Sequence, residues 1–549
     1  MTSASSTLTG RAAHVLGAVV AFVVALALPS AEGLEQTIPC EFDPVDRIVA
    51  IGDIHGAYDR FVDNLKATGV VDDELDWIGG ATHLVQTGDV LDRGPDSQKA
   101  MDLLIKLESQ AVASGGRVHA LIGNHEFFNA VGQLGFVSEK ELEAFEGKRD
   151  QELKKANGDV DVRPGELALR EAYSASGLYG QWIRTHNAVI RIGDLVFVHG
   201  GVTPEVAALG LCGINDRVRA DLDSEEWAYS LSMKDFGPLL TRRYSGDDLA
   251  ASELMERGAE IRQVLETLGA RTMVMGHTVT FGLVEPRFEG AAILIDTGMF
   301  EGYLGGHQAA LVVEGGSFYA VYPNGTVETP GSLAGERGKN YIEAAVAAAP
   351  KESALKRQLA ALRFRRGEYR EAAALYEDVG VLEARARLPY FWRKEAASSF
   401  AAIGAADKAE QANELYLQGM RITAERAGVS GVPLLHAYAR ECLRLDLQTD
   451  EAFDAARQAA AAYPKNMSFK VTIAWAWLAR GDERRAARVP SLAIRQGEDS
   501  FLAYYVLGQA QASLGNAEQA LKALHTAQER EPDNEDVKVA LMKVQTGTN

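Results

Sequence analysis

The segment VHALIGNHEFFNA, from Val118 to Ala130, decides how the rest of the chain is interpreted. It begins as an apolar run, which predicts a buried β-strand that stops at Gly123. A buried strand usually ends in turn-forming residues. This one is followed instead by Asn124, His125 and Glu126, whose side chains can bind metal ions or move protons. The segment therefore predicts a strand followed by a loop with a chemical role.

Four further segments have the same pattern of an apolar run, a glycine-containing turn and a ligand-type side chain. They are RIVAIGDIHG (47–56), HLVQTGDVLDRG (83–94), DLVFVHGG (194–201) and TMVMGHT (272–278), which supply Asp53, His55, Asp89, Asp92, Arg93, His199 and His277. In open α/β sheets, ligands bind beyond the carboxyl ends of the strands. A single Asp after a strand is usually part of a turn or a helix cap, a lone His is more often hydrogen-bonded structure than a ligand, and Arg93 alone could form a surface ion pair. The prediction therefore depends on all five motifs together. We expect the five loops to meet at one site.

The side chains in these loops are suited to divalent cations. Carboxylates, an amide oxygen and neutral imidazoles are appropriate ligands for Mn, Fe or Zn, and no cysteine lies among them to favour a softer metal. Two ions that share a carboxylate lie about 3.5–4 Å apart in sites that catalyse hydrolytic phosphoryl transfer. Asp89 is our candidate for the shared carboxylate.

The composition excludes two broad classes of protein. The chain has 549 residues, of which 47% are hydrophobic and 24% charged, as in globular proteins, so extensive disorder is not expected. Its 56 Lys and Arg against 76 Asp and Glu give a formal charge of −20. This charge repels polyanions, and no block of basic residues opposes it, so we expect no nucleic-acid partner.

The N-terminus resembles an export signal. Arg11 precedes VLGAVVAFVVALAL, from Val15 to Leu28, and the small residues PSAEG follow. Fourteen apolar residues are fewer than the roughly 20 of a membrane span and fit the core of a signal peptide. Residues 1–33 are therefore predicted to direct export to the periplasm or the extracellular space, with cleavage after Ala31 or Gly33. The alternative is an uncleaved N-terminal anchor, the only case in which we expect membrane attachment.

The three cysteines, Cys40, Cys212 and Cys442, lie far apart and form no metal-binding or disulfide pattern. One pair could join in an oxidising compartment. The sequence does not determine which pair that is.

The chain changes character at YPNGTVETPGSLAGERGKN, residues 322–340, where Pro and Gly accumulate. We interpret this segment as a linker. It separates a mixed domain over residues 40–321, in which strand-like and helix-like segments alternate, from an Ala-rich helical domain over residues 341–549.

The helical domain has an internal repeat of 34 residues. This period separates Ala452, Ala486 and Ala520, and likewise Ala459, Ala493 and Ala527. It is typical of tetratricopeptide helix pairs, and the last unit resembles their signature at Leu507, Gly508, Gly515, Ala520, Ala527 and Pro532. An Ala-rich bundle without true repeats is the alternative. Tetratricopeptide solenoids bind peptides in a concave groove, so we expect this domain to recruit a protein partner.

The five motifs GDIHG, GDVLDRG, GNHE, HGG and GHT resemble, in this order, the signature of the calcineurin-like metallophosphoesterases. The residues of GNHE and DRG are similar to the motifs of the phosphoprotein phosphatase branch. GPLLTRRY (237–244), IDTGM (295–299) and the charged insert between Phe127 and Tyr179 resemble the Shewanella-like phosphatases, which include serine/threonine and tyrosine phosphatases. The resemblance covers residues 47–321. It implies an α/β fold with a β-sandwich flanked by helices (α/β/β/α), ahead of the all-α tetratricopeptide solenoid.

The resemblance also implies a role for each site residue. Two divalent ions would be held by Asp53, His55, Asp89, Asn124, His199 and His277, with Asp89 as the bridge. His125 would be the general acid, oriented by Asp92, and Glu126 would support the loop. Arg93, Arg242, Arg243 and Asn124 would hold the substrate phosphate, although the sequence alone does not separate the two adjacent arginines.

These roles predict a phosphatase that hydrolyses phosphate monoesters by direct attack of a metal-bridging hydroxide, without a covalent intermediate. Phosphoproteins are the expected substrates, carrying phosphoserine, phosphothreonine or phosphotyrosine, and the repeat domain would recruit them. Two alternatives stay open. One is a phosphoesterase acting on nucleotides or other small molecules, and the other is a tetratricopeptide scaffold with a dormant or weakly active phosphatase fold.

Overall fold

The computed structural model describes residues 38–158, 161–246, 251–383 and 390–547. The predicted export signal, residues 1–33, lies outside these ranges. Within them, no helix combines the length and the apolar character that a membrane span requires.

Twelve strands in the described residues form two sheets of six strands each. The strands are β1 (Glu41–Phe42), β2 (Arg47–Ile51), β3 (His83–Gln86), β4 (Arg117–Ala120), β5 (Val189–Ile192), β6 (Leu195–Val198), β7 (Thr272–Met275), β8 (Glu285–Arg287), β9 (Ala292–Leu294), β10 (Ala310–Glu314), β11 (Ser317–Tyr322) and β12 (Gly325–Glu328). The first sheet has the order β1-β5-β6-β7-β9-β8, and the second has the order β12-β11-β10-β2-β3-β4. Strands β2, β3 and β4 are parallel neighbours, as are β6 and β7.

The apolar runs of the sequence become strands because both of their faces are covered. Ala50 and Val85 of the second sheet share a core with Phe197, Val274 and Ile293 of the first sheet. A strand buried on both faces needs a nearly continuous apolar sequence, which explains why these segments do not alternate between apolar and polar residues.

Helices cover the outer faces of both sheets. In this half of the chain they are α1 (Tyr58–Ala67), α2 (Ser97–Ala113), α3 (Asn124–Ala130), α4 (Glu139–Phe145), α5 (Lys148–Ala156), α6 (Glu166–Tyr173), α7 (Leu178–Arg184), α8 (Pro204–Ala207), α9 (Gly210–Leu222), α10 (Ala251–Thr267) and α11 (Glu301–Leu304). Leu65 and Leu104, from α1 and α2, share a core with Val49 of the second sheet. Ile214 and Ile261, from α9 and α10, share another core with the first sheet. The predicted α/β/β/α sandwich is confirmed.

The described residues that follow β12 are mainly helical. Its helices are α12 (Gly335–Ala348), α13 (Ser353–Arg365), α14 (Tyr369–Asp378), α15 (Phe391–Ala402), α16 (Ala406–Arg426), α17 (Val432–Arg444), α18 (Thr449–Ala462), α19 (Met467–Ala479), α20 (Glu483–Arg495), α21 (Phe501–Ser513), α22 (Ala517–Arg530) and α23 (Glu535–Thr546). Consecutive helices joined by short loops pack against each other, as expected for a solenoid.

The 34-residue period corresponds to equivalent positions in this solenoid. Ala452, Ala486 and Ala520 lie near the starts of α18, α20 and α22, and all three are fully buried. Gly508 shows why small residues are needed, since a Cβ atom there would lie 2.6 Å from Cγ of Leu524 on the neighbouring helix. The interpretation as tetratricopeptide-type helix pairs is confirmed.

The segment predicted as a linker, residues 322–340, is more structured than we expected. Strand β12 pairs antiparallel with β11 at the edge of the second sheet, and α12 begins at Gly335. Pro and Gly indicated a loop, but the unpaired edge of β11 supplies hydrogen bonds that make residues 325–328 a strand. Residues 322–340 therefore contain the last strand of the second sheet and the start of α12.

The structure also determines the cysteine pairing that the sequence left open. Cys40 and Cys212 form a disulfide, with Cα atoms 5.6 Å apart, while Cys442 is free and buried. The bond attaches the start of the first sheet to α9. It closes a loop with a sequence separation of 172 residues.

Candidate active site

The five predicted loops meet at the carboxyl ends of the two sheets. Three of them follow the neighbouring parallel strands β2, β3 and β4, and two follow the parallel strands β6 and β7. Backbone hydrogen bonds hold adjacent loops together, because the N–H groups of Ile54 and His55 both donate to the carbonyl of Asp89, at 2.9 and 3.0 Å. The two sheets are linked at this point, where Nδ1 of His199 donates to the carbonyl of Thr87 at 2.9 Å.

Two groups of potential metal ligands form the centre of the site. One contains His55, Asp89 and His125, and the other contains Asp89, His199 and His277, with ligand atoms in each group within 4.8 Å of one another. Asp89 belongs to both groups, which is the arrangement expected of a bridging carboxylate. His125 is in the first group by distance, although the sequence assigned it to proton transfer.

The remaining predicted ligands lie beside these groups. Oδ2 of Asp53 is 3.9 Å from Nε2 of His55, and its Oδ1 is 3.9 Å from Nδ1 of His199. Oδ1 of Asn124 lies 3.0 Å from Nε2 of His199. The structure therefore brings all six predicted metal ligands together.

The hydrogen bonds of His55 and His199 direct Nε2 of each ring toward the carboxylate of Asp89. Nδ1 of His55 donates to the carbonyl of Leu91 at 2.9 Å, as Nδ1 of His199 does to that of Thr87. Nε2 of each ring faces Asp89, whose Oδ2 is 3.7 Å from Nε2 of His55 and 3.3 Å from Nε2 of His199, and in the neutral form of the ring this nitrogen carries a lone pair. Lone pairs that face one another repel unless a cation lies between them, so the donor set fits metal ions.

His277 supports the same conclusion. Its Nδ1 lies 3.1 Å from Nε2 of His199, so the two ring nitrogens face each other inside the second ligand group. Burial, together with the nearby His199, lowers the pKa of His277 to about 2, and burial lowers that of His55 to about 3. Both rings are therefore neutral at physiological pH, as metal ligands must be.

The carboxylates at the centre are crowded, and one of them was not assigned from the sequence. Asp296 is buried in the IDTGM segment, and burial raises its pKa to about 6. Burial and the charges of Asp296 and Asp89 raise the pKa of Asp53 well above its ordinary value. Cations would relieve this repulsion. The only signal of Asp296 in the sequence was the motif itself, whose aspartate we did not assign.

Glu126 holds the loop after β3. Its carboxylate accepts hydrogen bonds from the backbone N–H groups of Asp89 at 2.7 Å, Val90 at 2.9 Å and Gly123 at 2.8 Å. These hydrogen bonds agree with the expectation that Glu126 supports the loop.

His125 is oriented by two residues. Its Nδ1 lies 2.6 Å from Oδ2 of Asp92, and Nδ2 of Asn129 donates to the other oxygen of Asp92 at 2.9 Å. Burial alone would lower the pKa of His125, but Asp89 and Asp92 outweigh it and raise that pKa. A raised pKa favours the protonated ring that a general acid needs. Asn129, one helical turn after His125, was not identified from the sequence.

The backbone is strained at these residues. His55, Asp89, Asp92, Arg93 and His277 have φ between 49° and 71°, in the left-handed region that favours glycine. Such strain is typical of functional sites, where the surrounding structure holds it in place.

The adjacent arginines have different environments. Arg242 is exposed at the rim, with Nη2 3.5 Å from the carbonyl of His277, and Nη2 of Arg93 lies 3.3 Å from Nε2 of His125. The guanidinium of Arg243 forms a two-pronged ion pair with Glu260 of α10. The donors of Arg243 are directed to Glu260, which leaves Arg242 as the arginine of this pair that is available to a phosphate.

This difference makes a paired test possible. We expect Arg242→Ala to raise KM for p-nitrophenyl phosphate by about 10–150-fold, since a hydrogen bond to a charged group contributes about 1.5–3 kcal/mol. Arg243→Ala should leave KM near the wild-type value and lower the melting temperature, because it removes the partner of Glu260. Steady-state kinetics and thermal unfolding of both variants would check this. A larger increase in KM for Arg243→Ala would contradict the assignment.

Two aromatic side chains lie beside His125. The rings of Phe128 and Phe136 stack with centroids 5.7 Å apart, and the Phe136 centroid is 5.1 Å from that of His125. Phe136 is 52% exposed, so one face of this pair is open to a substrate. Phe128 lies at the start of the insert between Phe127 and Tyr179, and Phe136 lies within it.

Comparisons with known proteins find similarity to phosphoesterases. Residues 46–281 match the family model of the calcineurin-like phosphoesterases. The chain is 29% identical over 300 residues to Shewanella-like protein phosphatase 2 of Arabidopsis thaliana, covering 49% of this chain and 75% of the relative. It is 32% identical over 274 residues to an uncharacterized protein of Schizosaccharomyces pombe, covering 47% and 74%. A solved structure, the cold-active protein-tyrosine phosphatase of a psychrophilic Shewanella species, is 26% identical, covers 53% of this chain and 83% of its own, and has a TM-score of 0.45.

Proposed function

Since the chain belongs to the calcineurin-like phosphoesterase family, we propose that it is a dinuclear metal-dependent phosphatase that hydrolyses phosphate monoesters on proteins. The observation that carries this proposal is the pair of ligand groups that share Asp89. Asp53 and His55 would hold one ion with Asp89, and Asn124, His199 and His277 would hold the other with it. The donor set suits Mn, Fe or Zn.

Two bound cations would offset the negative charge of a phosphate dianion, and they would lower the pKa of water from 15.7 toward about 7. The chain's own residues orient the substrate. Arg93 lies in the loop after β3, with Nη2 3.3 Å from Nε2 of His125, and Arg242 lies before α10, with Nη2 3.5 Å from the carbonyl of His277. Guanidinium groups match phosphate oxygens in shape and charge, so these two would hold the phosphate at the ions.

Proton transfer is assigned to His125. Its Nδ1 is held by Asp92 at 2.6 Å, so its Nε2 is directed into the site, 3.8 Å from Oδ2 of Asp89. A leaving oxygen at this position would receive the proton from Nε2. Phe128 and Phe136 lie on the same side, where they would contact the apolar part of the departing group.

Protein substrates are favoured over small molecules by two features. The relative in Arabidopsis thaliana is named a protein phosphatase. The helical half provides a groove with aromatic and basic side chains, including Trp475, Phe501, Tyr505, Arg440 and Arg444. Such a groove suits an extended peptide, so we assign it to the recruitment of a protein substrate or partner.

Export is part of the proposal. It is supported by the signal-like residues 1–33 and by the Cys40–Cys212 disulfide, which persists in oxidising compartments. The chain would then act in the periplasm or outside the cell.

A substrate panel tests the function. Purified full-length chain would be assayed with p-nitrophenyl phosphate, phosphoserine and phosphotyrosine peptides, and a dinucleoside polyphosphate, before and after metal depletion. We expect hydrolysis of the aryl phosphate and of at least one peptide, which stops on depletion and returns with Mn²⁺. Faster hydrolysis of the nucleotide would favour a small-molecule phosphoesterase. A fully metallated chain that hydrolyses none of these substrates would favour the scaffold.

A further inference from the structure

The loop after β7, residues 276–284, carries His277 and is fastened by helices from the other half of the chain. We refer to it as the His277 loop. We propose that α12, α13 and α15 position this loop, so that the helical half forms part of the phosphatase site as well as recruiting partners. This inference rests on the proposed function of His277 as a metal ligand.

The first contact comes from α13. Nε2 of Gln358 donates to the carbonyl of Thr280 at 2.6 Å. The N–H of Thr280 donates on the other side to the carbonyl of Asp296 at 2.8 Å. The peptide groups around Thr280, three residues after His277, are therefore held between the catalytic centre and the helical half.

The second contact comes from α15. The ring of Phe281 packs against Trp392, with centroids 5.0 Å apart and planes at 69°. The guanidinium of Arg357 lies 4.0 Å from the centroid of Trp392. Phe281 has a φ of 51°, an unfavourable conformation for this residue type, so its backbone needs external support. Trp392 supplies that support.

The third contact is at the end of the loop. The hydroxyl of Tyr341, on α12, donates to the carbonyl of Val284 at 2.7 Å. Leu283 and Val284 are fully buried in a core that also contains Ile342 of α12 and Leu355 of α13. Helices α12 and α13 thus pack onto the same core that lies between the sheets.

The position of the loop determines where His277 points. The N–H of His277 donates to both oxygens of Asp53, at 3.1 and 3.2 Å, and Oγ1 of Thr278 lies 2.6 Å from Oγ of Ser245. If the loop shifts, Nδ1 of His277 moves away from Nε2 of His199, from which it now lies 3.1 Å. We therefore identify Gln358 and Trp392 as positioning residues that act through the loop.

The test compares two variants with two matched controls in the full-length chain. Gln358→Ala and Trp392→Ala remove contacts to the loop. Gln411→Ala removes an equivalent side-chain to backbone bond within the helical half, from Nε2 of Gln411 to the carbonyl of Leu382 at 3.1 Å. Trp477→Ala removes a tryptophan of α19 that also has an arginine near its ring, Arg485 at 5.9 Å. Trp392→Phe keeps a ring against Phe281.

Each metal-free chain would be titrated with Mn²⁺ by calorimetry, and turnover of p-nitrophenyl phosphate would be measured. Changes to residues that orient metal ligands typically weaken metal binding by about 10–100-fold. We expect Gln358→Ala and Trp392→Ala to weaken one of two Mn²⁺ sites by about 10-fold or more and to lower kcat. Trp392→Phe should recover most of the affinity, and the two controls should match the wild type.

The outcomes separate this inference from the proposed function. If the wild type binds two ions and both loop variants bind them equally well, the inference is overturned and the phosphatase assignment stands. Equal weakening in the controls would also overturn it, because a general loss of stability would then be the cause. A wild-type chain that takes up no Mn²⁺ would overturn the proposed function, and this inference with it. Should Trp392→Ala fail to fold, Gln358→Ala decides the result.

Discussion

Asp89→Asn is expected to release both metal ions together and to reduce turnover to near the uncatalysed background. Oδ2 of Asp89 lies 3.7 Å from Nε2 of His55 and 3.3 Å from Nε2 of His199, so one carboxylate serves both ligand groups. Asparagine keeps the shape of the side chain, and its Oδ1 still accepts from the N–H of His125, which Asp89 does now at 2.9 Å. The substitution therefore removes a charge while leaving the fold in place.

Changes to residues that orient metal ligands typically cost about 10–100-fold in metal affinity or activity. The loss expected for Asp89→Asn is larger, because the shared ligand itself is changed. Elemental analysis and kcat on p-nitrophenyl phosphate would measure it. Asp221→Asn is the control, since Asp221 is also buried but accepts its hydrogen bonds from Ser232 and from Nε of Arg217, away from the site. Full metal content in Asp89→Asn would disprove the bridge.

His125→Ala is expected to slow the hydrolysis of alkyl phosphates more than that of activated aryl phosphates. The p-nitrophenolate leaving group departs readily as an anion, whereas a serine alkoxide is far more basic and needs a proton in the transition state. General acid catalysis typically contributes 10²–10⁴ in rate. We therefore expect a decrease of about this size in kcat for a phosphoserine peptide, and a smaller one for p-nitrophenyl phosphate.

Metal content must be measured in the same preparation, because His125 also lies in one of the two ligand groups. His186→Ala is a suitable control, since His186 is half-buried and its Nε2 is paired with Glu108 at 2.6 Å. If both substrates slow by the same factor while metal is retained, His125 positions the phosphate and another group is the acid.

The loops of the site could be predicted because each is a local pattern. An apolar run, a glycine and a ligand-type residue lie within about ten positions of sequence, and parallel strands bring such loops to one edge. The structure accordingly brings together Asp53, His55, Asp89, Asn124, His199 and His277. Their roles stay predictions until the variants are measured.

The features that the sequence did not reveal depend on distant partners. Arg242 and Arg243 are adjacent, and only Glu260, on the next helix, distinguishes them. The pairing of Cys40 with Cys212 follows from the position of α9 next to the first sheet. The segment around β12 becomes a strand because β11 lies beside it. Composition and periodicity carry no information about such contacts.

The position of β2 in the second sheet has a consequence for biosynthesis. Val49, near the start of the chain, pairs with Leu84 on one side and with Val312 on the other. A ribosome adds about 5–20 residues per second, so tens of seconds separate the synthesis of β2 from that of β10. Before β10 is made, the edge of β2 that later pairs with β10 is open. His277 and its loop are synthesised only shortly before β10. We therefore expect the nascent chain to be inactive until β10 has been made to cover β2, and until α15 has followed to support the loop of His277.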